Sequence, residues 1–97
     1  MSVNIPTTNI LNNDTHYRIS VFLPGVQPED LSVNVKNNHL SIDAFRSLKG
    51  EKKRYSRKFR LGHNLNLDAI DAKLSLGVLD IQIPILNHSR KIDIVAA

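Results

Sequence analysis

Residues 72–84 read A-K-L-S-L-G-V-L-D-I-Q-I-P, and this stretch decides the fold class. Apolar and polar residues alternate from Leu79 to Ile83, so every second side chain would face one side of an extended strand. Pro84 ends the alternation, because proline has no backbone N–H to donate to a sheet. Gly77 stands where a tight turn with a positive φ would join this strand to the preceding one. The stretch therefore predicts a β-hairpin with a structural turn at Gly77.

The same period of two recurs along most of the chain. It predicts further strands at residues 17–23, 31–36, 40–44, 55–61 and 70–74, an edge strand at 8–11 and a last strand at 91–95. Asn37-Asn38 is typical of a tight hairpin turn, because Asn tolerates the left-handed backbone conformation. No window carries a helical apolar stripe across three turns. We therefore predict an all-β fold, an antiparallel immunoglobulin-like β-sandwich of about 7–9 short strands.

Length and composition are those of one globular domain. The chain has 97 residues, of which 41% are hydrophobic and 23% charged. It has no cysteine, which excludes a disulfide framework and suits a reducing cytoplasm. No apolar run approaches the ~18 residues of a transmembrane helix. We expect a cytoplasmic protein with no membrane partner, divided into a short tail (1–13), a β-sandwich domain (14–86) and a short C-terminal extension (87–97).

Nothing in the sequence nominates an enzyme. The four histidines are scattered and share no metal-ligand spacing. No serine occupies a nucleophile elbow, and the four glycines are isolated, so there is no phosphate-cradling loop. We expect no catalytic residue, no metal site and no cofactor.

The net charge of +4 is unevenly distributed along the chain. Seven cations fall in a 12-residue window, which we call the basic cluster: Lys49, Lys52, Lys53, Arg54, Arg57, Lys58 and Arg60. Such a cluster could hold phosphates. Tyr55 and Phe59 are the only aromatic residues interleaved with it, and no recognisable nucleic-acid motif surrounds it. Nucleic acid is therefore a disfavoured partner, and a solvated or dimer-facing strand is the favoured interpretation.

Three blocks of sequence resemble the alpha-crystallin domain of small heat-shock proteins. The first is L-P-G-V-x-P-E-D-L-x-V-x-V-x-N-N at residues 23–38, followed by H-L-S-I at 39–42. The second is A-x-L-x-x-G-V-L at residues 72–79, and the third is the terminal I-x-I formed by Ile92 and Ile94. Together they extend the resemblance over about residues 14–94. Leu76 departs from the family, which usually has a polar residue before the turn glycine.

The resemblance implies an ATP-independent holding chaperone that binds non-native client proteins and suppresses their aggregation. It also implies a groove between two edge strands, lined by Leu31, Val33 and Val35 on one side and Ile70, Ala72 and Leu74 on the other. Ile92 and Ile94 of a neighbouring chain, or an apolar client segment, would fill this groove. The alternative for the six lining residues is that they are ordinary core.

The resemblance further implies self-association, as a homodimer or small homo-oligomer. In bacterial and plant members a long loop carries a strand that crosses to the partner, but here residues 45–54 leave little reach for such an exchange. Arg57-Lys58-Phe59-Arg60 instead resembles the animal-type version, in which this strand pairs with its twofold copy. Tyr55, Arg57 and Phe59 are then the candidate interface residues. The sequence leaves both dimer modes, and a monomer, open.

Two rival functions remain. A CS-type co-chaperone domain shares the sandwich but recognises a folded chaperone, and it would not require the I-x-I tail or the G-V-L turn in this form. A nucleic-acid-binding β-domain would use the stretch from Lys49 to Arg60, with an affinity that falls steeply with salt. The tail and the turn favour the holding chaperone.

Overall fold

The fold is known from a computed structural model that describes residues 3–86 and 92–96. The strands are β1 (Val3–Asn4), β2 (Thr8–Asn12), β3 (His16–Phe22), β4 (Leu31–Lys36), β5 (His39–Leu48), β6 (Glu51–Arg60), β7 (Asp71–Ser75) and β8 (Val78–Pro84). Short 3-10 turns at Pro28–Asp30 and Leu67–Ala69 precede β4 and β7. Sheet A has the order β1-β6-β5-β4, and sheet B has the order β2-β3-β8-β7. All pairs are antiparallel except β1–β6, which confirms the predicted all-β sandwich.

The core lies between the two sheets and consists of the alternating apolar residues that the sequence pattern selects. In β8, Leu79, Ile81 and Ile83 are buried, while the residues between them are partly exposed. The largest fully buried side chains come from β3, the loop after it, β5 and β8: Ile19, Val21, Leu23, Leu40, Ile42, Leu79, Ile81 and Ile83. The central strands of each sheet therefore supply the core, and the edge strands remain less covered.

Two hairpin turns have the backbone conformation that the sequence predicts. Asn37 and Asn38, between β4 and β5, have φ values of 51° and 59°. In the β7–β8 turn, Leu76 has φ 49° and Gly77 has φ 77°. The Leu23 N–H donates to the Gly77 carbonyl oxygen across 2.7 Å, so the turn is also tied to the end of β3. Two successive positive φ values produce the twist that suits a two-residue hairpin.

The strands predicted at residues 40–44 and 55–61 are longer in the structure, and the region 45–54 between them belongs to both. β5 and β6 continue through this region, paired from His39–Arg60 to Leu48–Glu51, and a two-residue turn joins them. Lys49 and Gly50 have φ values of 50° and 77°. β4 begins at Leu31, opposite Ala44, and β1 reaches only as far as Arg54, so the remainder of this region is a two-stranded ribbon. Apolar residues alternate along a strand that has one buried face. The charged end of this ribbon has no buried face, so its sequence does not show the alternation that would have predicted a strand.

The two ends of the chain also differ from the sequence prediction. At the N-terminus, β2 forms the expected edge strand, and β1 is an additional strand that the sequence analysis missed. At the C-terminus, the predicted strand at residues 91–95 is wrong, because residues 92–96 have no regular secondary structure. Lys91 and the predicted start of the extension at residue 87 lie outside the described residues. A strand requires a neighbouring edge to receive its hydrogen bonds, and alternation alone does not supply one.

Candidate functional site

The sandwich has one side that the N-terminal segment closes and one side that it leaves open. β1 lies at the β6 edge of sheet A, and β2 lies at the β3 edge of sheet B. Ile5, Pro6 and Thr7 alone connect them, and this connection reaches at most about 14 Å. Packed sheets are about 10 Å apart, so the β1 and β2 edges must be neighbours. The opposite edges, β4 and β7, therefore share the other side of the sandwich.

The β4 wall of this open side is apolar towards the interior. Leu31, Val33 and Val35 lie opposite core residues of β5 in the register: Ala44, Ile42 and Leu40, respectively. Side chains directly opposite each other share a face of the sheet, so these three β4 residues point inward. Leu31 and Val33 are half-buried against the core, and Val35 is 38% exposed. β4 thus presents an apolar row that becomes more accessible towards its end.

The β7 wall is built in the same way. Ala72 and Leu74 lie opposite the buried residues Ile81 and Leu79 of β8, so they also face inward. Leu74 is half-buried, and Ala72 is exposed. Ile70 precedes the strand and packs, half-buried, against the core. Four of the six predicted groove residues therefore contact the core, and the other two are exposed on the same two edges.

The backbone of both walls adds a second kind of binding capacity. β4 and β7 are the last strands of their sheets within the described part of the chain. The outer backbone groups of an edge strand are available to pair with an added strand. An extended segment could therefore pair with either edge while placing alternate apolar side chains between the walls.

The C-terminal I-x-I residues are not docked on this domain. Ile92 is 82% exposed, Ile94 is 93% exposed and Val95 is 86% exposed. In an extended chain the spacing of Ile92 and Ile94 places both side chains on one side. Residues 92–96 thus present an apolar segment of the form that the open side could accept.

The candidate dimer residues lie on β6, but they face the interior. Tyr55, Arg57 and Phe59 are opposite Ala44, Ile42 and Leu40 in the β5–β6 register. Phe59 is 7% exposed, and the Arg57 guanidinium carbon lies 4.9 Å from the centre of its ring. β1 pairs with β6 at Arg54 and Tyr55, so part of the β6 edge is already occupied. The dimer role of these three residues stays a prediction.

The basic cluster divides between the two faces of sheet A. Successive side chains of β6 point to opposite faces. Lys53, Arg57 and Phe59 therefore face inward, and the outward residues are Lys52, Arg54, Lys58 and Arg60. In the sequence these cations form one linear group that does not include Lys36, but the β4–β5–β6 register brings Lys36 to the outward face beside them. The odd and even positions of these cations along the strand were the signal that could have assigned them to opposite faces.

The described residues lack two further kinds of functional feature. Residues 3–86 and 92–96 contain no group of three or more histidine, cysteine, aspartate or glutamate side chains arranged to hold a metal ion. Within the same residues, none of the helical segments has the length and apolar character needed to cross a bilayer.

The sequence is similar to that of small heat-shock proteins. The family model described as "Hsp20/alpha crystallin family" matches residues 9–95. Small heat shock protein C2 of Rickettsia felis is 34% identical over 92 residues, which cover 82% of this chain and 60% of that protein. Small heat shock protein C4 of the same organism is 29% identical over 97 residues, with 88% of this chain and 60% of that protein covered. The chain therefore spans about three fifths of the length of these two relatives.

The structure is similar to solved structures of the same group. A small heat-shock protein from Xylella fastidiosa, reported to have a distinct high order structure, superposes with a TM-score of 0.81 at 25% identity, with 95% of both chains covered. Heat shock protein 16.0 from Schizosaccharomyces pombe gives a TM-score of 0.76 at 21% identity, with 97% of this chain and 76% of that chain covered. The second similarity concerns the fold alone.

Proposed function

The chain belongs to the Hsp20/alpha crystallin family, and we propose on that premise that it is an ATP-independent holding chaperone that captures apolar segments of non-native proteins between β4 and β7. The family and the fold support a chaperone role. The observation that carries the finer proposal is the open side of the sandwich, where two edge strands each present inward-facing apolar side chains. The binding residues are then Leu31, Val33 and Val35 on β4, with Ile70, Ala72 and Leu74 on or beside β7.

The expected affinity of such a groove is modest. Burial of two isoleucine-sized side chains contributes about 3–5 kcal/mol before the bound segment loses its conformational freedom. Backbone pairing along an edge strand adds specificity for extended segments rather than for a particular sequence. This combination favours reversible capture of many different unfolded chains.

We propose that the C-terminal segment competes with client proteins for the groove. Ile92 and Ile94 of a neighbouring copy would enter it and link subunits into a homodimer or small homo-oligomer. Their high exposure on a single chain supports this assignment, because it leaves both side chains available to another molecule. We propose that residues 87–97 form the extension, and that the sandwich predicted at residues 14–86 is extended by β1 and β2 of the N-terminal tail, which lie in its two sheets. A chain without cysteine requires no oxidising compartment, and we propose that it acts in the cytoplasm.

A thermal aggregation assay tests the holding function. Light scattering of a heat-labile model enzyme is followed during warming, with and without an excess of this protein and in the absence of ATP. We expect suppression by the parent protein and loss of suppression in the double variant Val33→Ser/Leu74→Ser. Ile10→Ser is a matched control, because Ile10 also faces inward from an edge strand but lies on the closed side.

The outcomes separate the groove from the rest of the molecule, provided that circular dichroism shows each variant to be folded. Suppression that survives in the double variant, or that Ile10→Ser removes equally, would place client binding elsewhere. A folded parent protein that suppresses nothing would refute the holding function itself.

A further inference from the structure

The charge of this domain is concentrated on the outward face of sheet A. The β4–β5–β6 register places five cations there: Lys36, Lys52, Arg54, Lys58 and Arg60. Asp43 is the only carboxylate among the outward residues of these three strands, which leaves a surplus of four positive charges. The outward face of sheet B carries Arg18 and Lys73 against Asp71 and Asp80, so its charges balance. The whole chain has a net charge of +4, equal to the surplus on sheet A alone.

The cations on sheet A are accessible and mostly without acidic partners. Arg54 donates to Asp43 across 2.8 Å, which neutralises one of the five. Lys36, Lys52, Lys58 and Arg60 are exposed and form no ion pair with any described residue. Lys36 and Lys58 border an open depression of about 410 Å³, together with Asn37, His39 and Ser41. The depression thus combines positive charge with hydroxyl and amide groups and has no carboxylate in its lining.

The linear sequence disfavours nucleic acid as a partner, but it does not show that Lys36 and four cations of the basic cluster share one face. We propose that this outward face of sheet A binds the phosphate backbone of single-stranded nucleic acid without sequence preference, as an activity separate from the holding of unfolded proteins. Phosphate oxygens accept hydrogen bonds from Lys, Arg, Ser and Asn side chains, which are the groups this face displays. Asn34, Ser41 and Lys58 form one row across the sheet, and Lys36, His39 and Arg60 form the next.

The dimensions of the face suit an extended backbone. Lys52 and Arg60 are eight residues apart on β6, which corresponds to about 27 Å along a strand. Alternate residues on a strand are about 7 Å apart, and adjacent strands are about 4.8 Å apart, so the cations form an elongated band rather than a point. The three-stranded part of the face, which carries Lys36, Lys58 and Arg60, is too broad for a duplex groove, which admits a helix or a two-stranded ribbon. A single strand can lie along the band without that constraint.

The chemistry of the face argues against a lipid surface. Peripheral membrane binding combines cations with apolar side chains that insert at the interface. Among the outward residues of β4, β5 and β6, the one large apolar side chain is Phe45, which is partly buried. The Lys52 ammonium nitrogen lies 5.4 Å from the centre of its ring. The remaining uncharged residues are serines, asparagine and histidine. One aromatic ring can stack on a base, but it is too little to anchor a membrane.

The direct test is the salt dependence of oligonucleotide binding. Fluorescence anisotropy is measured with a labelled single-stranded 20-nucleotide deoxythymidine oligomer between 50 and 200 mM salt. If the four unpaired cations each neutralise one phosphate, log K should fall against log salt with a slope of about −2.8. Affinity would then fall about 50-fold across that range.

A pair of matched variants locates the site. Lys58→Gln removes one cation of the band, and we expect the slope to become shallower by about 0.7. Lys73→Gln causes the same change in net charge at an exposed outward position on the opposite sheet, and we expect the parent slope. Equal slopes for the two variants would overturn the assignment to sheet A.

Two further probes distinguish this ligand from other anions. Vesicles containing anionic lipid and a polyglutamate peptide are compared with the oligonucleotide at equal concentrations of negative charge. Tighter binding to either one, or no oligonucleotide binding at 50 mM salt, would overturn the proposal. Neither result bears on the aggregation assay, so the two functions fail independently.

Discussion

The β7–β8 turn allows a stability prediction in which neighbouring residues have opposite effects. At Gly77 the φ of 77° lies in the left-handed region, which costs a residue with a Cβ about 1–2 kcal/mol. A Cβ there would also lie 3.2 Å from the Pro24 Cα and 3.6 Å from the Leu23 carbonyl oxygen. The 3.6 Å contact is ordinary, but at 3.2 Å the Pro24 backbone would have to shift by a few tenths of an ångström, and such crowding costs a further ~1–3 kcal/mol. We expect Gly77→Ala to destabilise the domain by about 2–5 kcal/mol, and Gly77→Val to be worse because a β-branched residue tolerates this φ least.

Leu76 supplies the internal comparison. It also has a positive φ, of 49°, but its side chain is fully exposed. Leu76→Asn therefore loses no packing and introduces a residue that accepts the left-handed conformation. We expect it to be neutral or to stabilise the fold by up to about 1 kcal/mol.

Thermal unfolding followed by circular dichroism measures both effects. For a domain of this size, 1 kcal/mol shifts Tm by about 4–8 °C, so Gly77→Ala should lower Tm by at least about 8 °C. Melts at two protein concentrations are needed, because self-association raises apparent stability. If Gly77→Ala melts like the parent protein, the turn is neither strained by a side chain nor crowded against Pro24, and the reasoning fails.

Two predictions concern self-association. Replacing Ile92 and Ile94 by Ala should reduce the mass of any assembly larger than a dimer, because the segment would lose about 3–5 kcal/mol of apolar burial; an unchanged mass in light scattering would show that the tail does not link subunits. Arg57→Glu should weaken a dimer built on β6, whereas Lys58→Glu, which reverses a charge on the outward face of the same strand, should leave it nearly intact. Sedimentation measures the dimer in both variants, and melting checks that they are folded. If Arg57→Glu leaves the dimer intact, or if Lys58→Glu weakens it equally, the inward face of β6 is not the interface.

The sequence predicted the central strands well because each has one buried face. The alternation of Leu79, Ile81 and Ile83 is a direct record of the core, and the buried residues of β3 and β5 follow the same pattern. Asparagine and glycine marked the turns at Asn37-Asn38 and Gly77, whereas Leu76 also has a positive φ that its residue type does not indicate, and the turn at Lys49–Gly50 was not predicted. Burial and turn chemistry are local properties that a sequence displays.

Other features depend on pairing partners, which the sequence does not display. β1 has only two residues, and its partner Arg54–Tyr55 is about fifty residues away. The ribbon at residues 45–54 has charged side chains on both faces, so it lacks apolar alternation at its tip. For the groove, alternation identified Val33 and Leu74 as apolar strand residues but could not assign them to sheet edges on the same side. The spatial order of the strands within the two sheets, which places β4 and β7 at edges, supplies that assignment.

The pairing of β1 with β6 also has a consequence for synthesis of the protein. The chain leaves the ribosome from its N-terminus, so Val3 and Asn4 emerge well before Arg54 and Tyr55 exist. The β5–β6 hairpin closes between residues close in sequence and can form early, whereas β1 must wait for it. The sandwich is nevertheless completed only when β8, the last strand of the chain, pairs with β3 and β7, and until then the nascent chain has the β3 edge unpaired. During its own biosynthesis this protein exposes the same kind of unpaired edge that we propose it later offers to others.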